Sequence, residues 1–438
     1  MGIETITILI IAVMLAFMLL GVPLAWTTMA LAVGCTLIWL GPAGLPLVAS
    51  RVYGFINEYV LVAVPLFVFM ACVLERSGVA HDLYDAMRVF AGRLPGGVAV
   101  QTTLVAIVMA AMTGIIGGEI VLLGLIALPQ MLRLGYDQKL AIGTICAGGS
   151  LGTMLPPSVV LIVYGLTAGV SIGDLFIGGV LPGLLLAGFY ITYIIIRSVL
   201  NPALAPQLPA EQLDIPLIEK LRLLKGLILP ILIIFWVLGS IYGGIASVTE
   251  AAGVGAVAAL LAAAVRGEFS TTLLWEAMQR TMSTVGIIIW LTLGANAFIG
   301  IYNIMGGTRY LSGAIGGLPL EPWQIIIVMM LILFVLGMVL DWIGITLLTM
   351  PIFVPVIIEL GYDPVWFGIL FCMNMQCSFL TPPFGPAAFY LKSVAPPHIQ
   401  LQTIFGALLP FIGMQVLALA FLLLFPGLAL WLPSLMRG

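Results

Sequence analysis

The chain has 438 residues, 62% of them hydrophobic and 8% charged, with a formal net charge of −3. Soluble domains carry roughly 25% charged residues, so a soluble globular fold is excluded, and the lack of any basic cluster argues against a nucleic-acid partner. The apolar runs are continuous and not alternating, which excludes a transmembrane barrel and leaves an all-α polytopic membrane protein in the lipid bilayer.

The first run, "TITILIIAVMLAFMLLGVPLAW", has neither a basic start nor an A-x-A cleavage site, so it reads as a retained helix and not a signal peptide. Apolar stretches at about 4–22, 24–40 and 57–75 are followed by an amphipathic piece, "RSGVAHDLYDAMRVFAGRLPGG". A split apolar stretch (98–132), a helix interrupted by "GTMLPPS" (139–167) and a further helix (175–196) complete a first unit. After a linker (197–225), a second unit repeats the order at about 224–242, 245–265, 283–304, 323–358, 364–391 and 403–431. Cys35, Cys72, Cys146, Cys372 and Cys377 have no metal-ligand spacing and read as small packing residues.

The two units are copies. "LGYDQKLAIGTICAGGSLGTMLPPSVVLIVY" (134–164) and "LGYDPVWFGILFCMNMQCSFLTPPFGPAAFY" (360–390) share Leu-Gly-Tyr-Asp, Pro-Pro and a closing Tyr at one offset, 360 − 134 = 226. Pro129 and Pro355 keep it upstream, and "GGVLPG" and "GALLPF" match downstream after a short slip. Charge then orients each copy. Arg88, Arg93, Arg133 and Lys139 flank the split stretch of the first, whereas Glu321, Glu359 and Asp363 flank that of the second, with Arg309 the exception. Positive flanks face the cytoplasm, so the copies lie in opposite orientations, the linker with Arg197, Lys220, Arg222 and Lys225 is cytoplasmic, and both termini fall outside. Inverted repeats with interrupted helices point to a secondary transporter whose site lies near the bilayer midplane.

Proline has no N–H to donate. In a helix Pro156 and Pro157 would release the carbonyls of Gly152 and Thr153, and Pro382 and Pro383 those of Ser378 and Phe379. Unsatisfied polar groups in hydrocarbon cost several kcal/mol each, so these oxygens need partners. With the hydroxyls of Ser150, Thr153, Ser158, Ser378 and Thr381 they make a hard oxygen donor set suited to Na⁺. A plain kink, satisfied by neighbouring side chains, is the other reading.

The split stretches have halves of about 16 residues, short for crossings that need roughly 20, and read as re-entrant hairpins. "MTGIIGGEIVLLG" puts Gly114, Gly117, Gly118 and Glu119 at the first tip; "GMVLDWIGITLLTMP" puts Gly337, Asp341, Gly344 and Thr346 at the second. Carboxylates at that depth are functional candidates or half-helix caps. Glu250, behind Ser247 and Thr249, reads as a cap. His81 and His398 fall outside the apolar spans, so a proton-relay role is not expected of them. No G-x-x-x-x-G-K-S/T loop, nucleophile–base pair or metal motif occurs, so an ion-driven process without a cofactor is expected, and not an enzyme.

"GSLGTMLPPSVVLIVYG" and "SFLTPPFGPAAFYL", each after a glycine-tipped hairpin, make the chain resemble, over essentially its whole length, the large membrane subunit of tripartite ATP-independent periplasmic (TRAP) transporters. "GLIALPQMLRLGYDQKLAIGTICAGGSLGTMLPPS" and "LDWIGITLLTMPIFVPVI" look closest to its mannitol, chloroaromatic and 2-oxo-acid branch. The resemblance implies a bacterial inner-membrane importer of elevator type. Its parts would be first-repeat scaffold and arm (1–97), first hairpin and broken helix (98–174), scaffold, linker and second arm (175–322), second hairpin and broken helix (323–402) and a last helix (403–438). It also implies a small four-helix membrane partner, a periplasmic binding protein delivering an organic acid, and Na⁺ as coupling ion.

The resemblance places one Na⁺ at Gly114, Gly117, Gly118, Gly152, Leu155 and Pro157, and another at Gly337, Asp341, Gly344, Ser378 and Thr381. Candidates near the substrate are Glu119, Ser150, Thr153, Ser158, Asn374 and Gln376, beside Pro156, Pro382 and Pro383. The first tip departs from the family's G-I-S-G-S-A-x-A-D pattern, reading Gly-Ile-Ile-Gly-Gly-Glu-Ile-Val-Leu at 114–122. Backbone ligands survive that change and side-chain ligands do not, and Glu119 would take over part of the cation requirement or admit proton coupling. A stand-alone anion transporter and a non-transporting scaffold are the alternatives.

Overall fold

The computed structural model describes residues 2–114, 117–208 and 216–436. Ile115 and Ile116 of the first tip and residues 209–215 of the linker lie outside the described residues. Within them all regular structure is helical. The first half holds α1 (Ile3–Leu19), α2 (Leu24–Trp39), α3 (Leu45–Ile56), α4 (Ala63–Arg76), α5 (Val79–Ala91), α6 (Gly97–Thr113), α7 (Gly118–Arg133), α8 (Gln138–Ser150), α9 (Val159–Ala168) and α10 (Ile172–Leu200). A short α11 (Leu217–Leu224) leads to α12 (Ile228–Tyr242), α13 (Val248–Val265), α14 (Thr271–Ile304), α15 (Gly307–Gly316) and α16 (Pro322–Gly337). The chain ends with α17 (Trp342–Glu359), α18 (Pro364–Leu380), α19 (Pro386–Lys392), α20 (Leu401–Leu424) and α21 (Gly427–Met436).

Local chemistry starts the repeated helices alike. Asp137 caps α8 by accepting from Leu140 N at 2.9 Å, and its counterpart Asp363 caps α18 by accepting from Val365 N at 2.7 Å. Glu250 closes a capping box with Ser247 at the head of α13, as its spacing predicts. Among the described residues seven helices are long and apolar enough to cross a membrane, the longest being α10 with 29 residues and α14 with 34. Three of the hairpin arms are shorter, 17 and 16 residues in α6 and α7 and 16 in α16, whereas α17 with 18 is itself one of the seven.

The offset read from the motifs pairs α1 and α2 with α12 and α13, α5 to α9 with α15 to α19, and α10 with α20. It also pairs α3 and α4 together with the single long α14, which the first copy interrupts at Asn57 and Glu58. Packing follows the duplication. Helix α2 lies on α14 while α13 lies on α4, and α8 lies on α20 while α18 lies on α10. Each pair is the other with the halves exchanged, as a two-fold relation requires. Where the halves meet, the duplicated residues Ser150 and Gln376 (|i−j| 226) approach each other at 3.4 Å, with Gln415 Nε2 another 3.4 Å from the Ser150 hydroxyl.

Small residues set these crossings. At Gly294 of α14 a Cβ would lie 2.5 Å from the Ala25 carbonyl of α2, and at Gly143 of α8 it would lie 2.7 Å from the Ala407 carbonyl of α20. Tyr164 joins the halves directly: its hydroxyl donates to Pro364 O at 2.7 Å and its ring stacks on Phe371. Tyr164→Phe leaves that half-buried carbonyl without this donor. The expected loss is about 1–2 kcal/mol, read as a lower thermal unfolding midpoint in detergent.

Two elements differ from the sequence expectation. The helix expected at 283–304 begins at Thr271, because Glu276, Gln279 and Arg280 lower its hydropathy without stopping a helix. The last stretch, expected as one segment to 431, ends α20 at Leu424 and restarts as α21 after Pro426, which cannot continue a helix.

Candidate functional site

Both Pro-Pro pairs break the backbone. In the first copy α8 ends at Ser150, a 3₁₀ turn covers Leu151–Thr153, and α9 begins only at Val159. Ser158 spans the gap: its hydroxyl donates to Thr153 O at 2.6 Å, and its Oγ accepts from Leu161 N at 3.4 Å. One of the two carbonyls released by proline is therefore satisfied by a hydroxyl that the sequence placed beside it. In the second copy α18 runs to Leu380, Ser378 O accepts from Thr381 N at 3.1 Å, and the Thr381 hydroxyl donates to Cys377 O at 2.6 Å. The peptide bonds Pro156–Pro157 and Pro382–Pro383 are both cis. The two gaps differ in access: residues 151–158 are all buried, whereas Pro383 and Phe384 are exposed.

Each hairpin tip rests on the break of its own copy. Gly114 ends α6 with φ +62°, its carbonyl accepts from Val159 N at 3.3 Å, and a Cβ there would overlap the Pro157 carbonyl oxygen. Only glycine combines that left-handed backbone with so close an approach. At the second tip Gly337 lies against the Ser378 side chain, whose Oγ is 3.4 Å from Phe334 O and 3.3 Å from Asn374 O. Asn374 donates to Met330 O at 2.7 Å and so binds α16 to α18. Asp341 caps α17, accepting from Ile343 N at 3.1 Å.

A cavity of about 440 Å³ opens where the two tips meet the rest of the molecule. One wall is Gly114, Gly117 and Gly118 of the first tip with Gly337, Asp341 and Ser378 of the second. The opposite wall comes from α4 and α14 and carries Glu75 and Arg280, paired at 3.3 Å. Tyr390 closes one side, its ring over Gly117. A second cavity of about 500 Å³, with Arg51, Glu58 and Asn296, touches neither tip.

Six of the residues named from sequence thus share one cavity. The others stand elsewhere. Gly344 faces Leu24 of α2, and Leu155 packs on Gly183 of α10. Gly152, Thr153, Ser158, Pro156 and Pro157 lie in the sealed first break. Thr381 and Pro382 are half-buried at the second. Ser150 and Gln376 meet in the interior behind the cavity. Glu119 is also behind it: fully buried, its carboxylate hydrogen-bonds Thr113 across the two hairpin arms, and Oε2 has no protein partner among the described residues.

Sequence reasoning missed Glu75 and Arg280. Both sit at the ends of apolar runs, where charge reads as a membrane boundary. The available signal was helical continuity: once 271–304 is one helix, Arg280 lies about two and a half turns inside it, where an ionisable group is a functional candidate.

Chemically, the cavity brings together the first tip, the second helix break at Ser378, the N-terminal ends of α7 and α17, and one guanidinium. Breaks of this kind suit hard cations, and helix N-termini with arginine suit carboxylates.

Comparison with known proteins agrees with this architecture. The family model described as "Tripartite ATP-independent periplasmic transporter, DctM component" matches residues 11–428. The C4-dicarboxylate TRAP transporter large permease protein DctM of Vibrio cholerae is 30% identical over 453 residues, with 98% of each chain covered. The ectoine TRAP transporter large permease protein TeaC of Halomonas elongata is 29% identical, with 98% of this chain and 99% of its own covered. Among solved structures, the Alcanivorax borkumensis YdaH transporter shares the fold with a TM-score of 0.65 at 18% identity, covering 93% of this chain and 98% of its own. These relatives are transport permeases and not enzymes, and their family places the chain in the inner membrane. The chain belongs to the DctM family, the large permease component of tripartite ATP-independent periplasmic transporters.

Proposed function

We propose that this permease imports a small organic acid by coupling it to Na⁺, as the large subunit of a complex with a small four-helix membrane protein and a periplasmic binding protein. The observation that carries this reading is the shared cavity: two hairpin tips and an interrupted helix converge on one space of about 440 Å³ against α4 and α14. Na⁺ would sit where each tip meets its break, held by backbone oxygens around Gly114 and Pro157 in one copy and around Gly337 and Ser378 in the other. The opposed charge flanks of the two copies support an inverted repeat. In that arrangement hairpins and broken helices (98–174 and 323–402) move as one body against a scaffold that includes α4 and α14. The relatives' names span C4-dicarboxylates and ectoine, so the acid itself is set by the delivering protein as much as by this chain.

Reconstitution tests the reading. Proteoliposomes holding both membrane subunits, with binding protein and labelled acid outside, should accumulate the acid only under an inward Na⁺ gradient, and replacing Na⁺ with K⁺ should reduce uptake to the liposome background. Uptake by this chain alone would favour the stand-alone alternative. Uptake indifferent to the Na⁺ gradient would sink the coupling.

A further inference from the structure

We propose that Arg280 and the N-terminal end of α7 form the subsite for one carboxylate of the transported acid, and that the Glu75 side chain fills this subsite when no acid is present. The inference deepens the reading above and rests on it for the nature of the cargo.

The geometry begins with the ion pair. Glu75 Oε2 lies 3.3 Å from Arg280 Nη1, with the Glu75 side chain 13% exposed and that of Arg280 47% exposed. Both line the cavity. The pair spans α4 and α14, yet the acid also reaches across to the hairpin: a Cβ on Gly118 would fall on Glu75 Oε1. Gly118 is the first residue of α7, whose leading N–H groups have no acceptor within the helix and favour negative charge. One carboxylate therefore pairs with a guanidinium of α14 and lies beside the first residue of α7. A free organic acid entering the cavity carries the same group and finds the same two complements.

Displacement is feasible because Glu75 has another cation nearby. Arg76 follows it in α4 and pairs with Glu276, and both Arg76 and Arg280 act on the Glu75 carboxylate. The other ionisable groups around this point are Glu119, buried behind the tip, and Cys72, Asp341 and Tyr390 on the cavity wall. Exchanging one carboxylate for another leaves Arg280 neutralised throughout, so binding never leaves the cation without a counter-charge. It does remove the Glu75 link between α4 and α7, while α4 still packs on the hairpin. The empty permease thus has one side-chain tie between α4 and the tip that the loaded one lacks.

Hydrogen–deuterium exchange on the full chain in lipid nanodiscs tests this, with succinate as the carboxylate probe and chloride as the control. Without added acid, peptides covering 117–121 should exchange faster in Glu75→Gln than in the unsubstituted protein. Succinate should restore their protection in Glu75→Gln at about tenfold lower concentration than it acts on the unsubstituted protein, since a self-occupied site lowers apparent affinity by the fraction left open. Arg280→Gln should lose the succinate response and Arg280→Lys should recover part of it. Equal acid-free exchange in Glu75→Gln and the unsubstituted protein would overturn the proposal. So would an unshifted succinate response in Glu75→Gln, or a full one in Arg280→Gln. Failure of Na⁺-driven uptake in proteoliposomes would instead strike the functional reading and leave this exchange pattern standing.

Discussion

Gly114→Leu is expected to abolish uptake, lowering initial rates in proteoliposomes by at least about 100-fold while the protein still inserts and purifies. Two costs combine there. The left-handed backbone (φ +62°) disfavours any side chain by about 1–2 kcal/mol. The larger effect is steric, because the new Cβ would occupy the place of the Pro157 carbonyl oxygen and lift the tip off the break. Gly169→Ala separates the two. Gly169 ends α9 with nearly the same angle, φ +68°, and nothing lies within 4 Å of its added Cβ. It should keep near-normal uptake and lose only the strain contribution, about 1–2 kcal/mol, in thermal unfolding. Near-normal uptake by Gly114→Leu would show that close contact between tip and break is dispensable.

Gly143→Leu should do the most damage to the fold itself. The Cβ at this position of α8 would lie 2.3 Å from the Phe411 ring and 2.7 Å from the Ala407 carbonyl of α20. A ring can rotate, but a helix backbone yields only by moving the whole crossing. Overpacking typically costs 1–3 kcal/mol. Four added carbons against a fixed carbonyl should reach about 3 kcal/mol or more, seen as a lower unfolding midpoint and a smaller monodisperse fraction on size exclusion. Gly406→Ala, on the same helix α20 with nothing within 4 Å, is the control and should be neutral or slightly stabilising.

Much of the architecture was legible because two of its determinants are written in residue identity. The Leu-Gly-Tyr-Asp and Pro-Pro markers gave the duplication, and one offset then ran through all paired helices from α1 to α20. The glycine-centred runs marked the turns between α6 and α7 and between α16 and α17, although α17 is long and apolar enough to cross a membrane. Contacts between distant segments were not legible. Nothing in "SFLTPPFGPAAFYL" says that Ser378 faces a cavity while Gly152, its partner at the first break, is sealed. That difference arises from what packs over each break. Asn374 and Gln376 read as polar groups for a ligand, but one is used to bind Met330 O and the other lies against Ser150. Arg280 escaped notice because hydropathy alone cut its helix at 283, and a charge just outside an apolar run reads as an anchor.

The meeting of Ser150 with Gln376 has a bearing on ancestry. Duplicated residues that touch across a two-fold relation occupy a place where, before the gene doubled, a single residue would have faced its own copy in a symmetric dimer. Self-contact restricts such a place to side chains that tolerate their own likeness. Within one polypeptide the two places can differ, and here a small hydroxyl stands opposite a longer amide. The same latitude extends to the two breaks, one closed over and the other open.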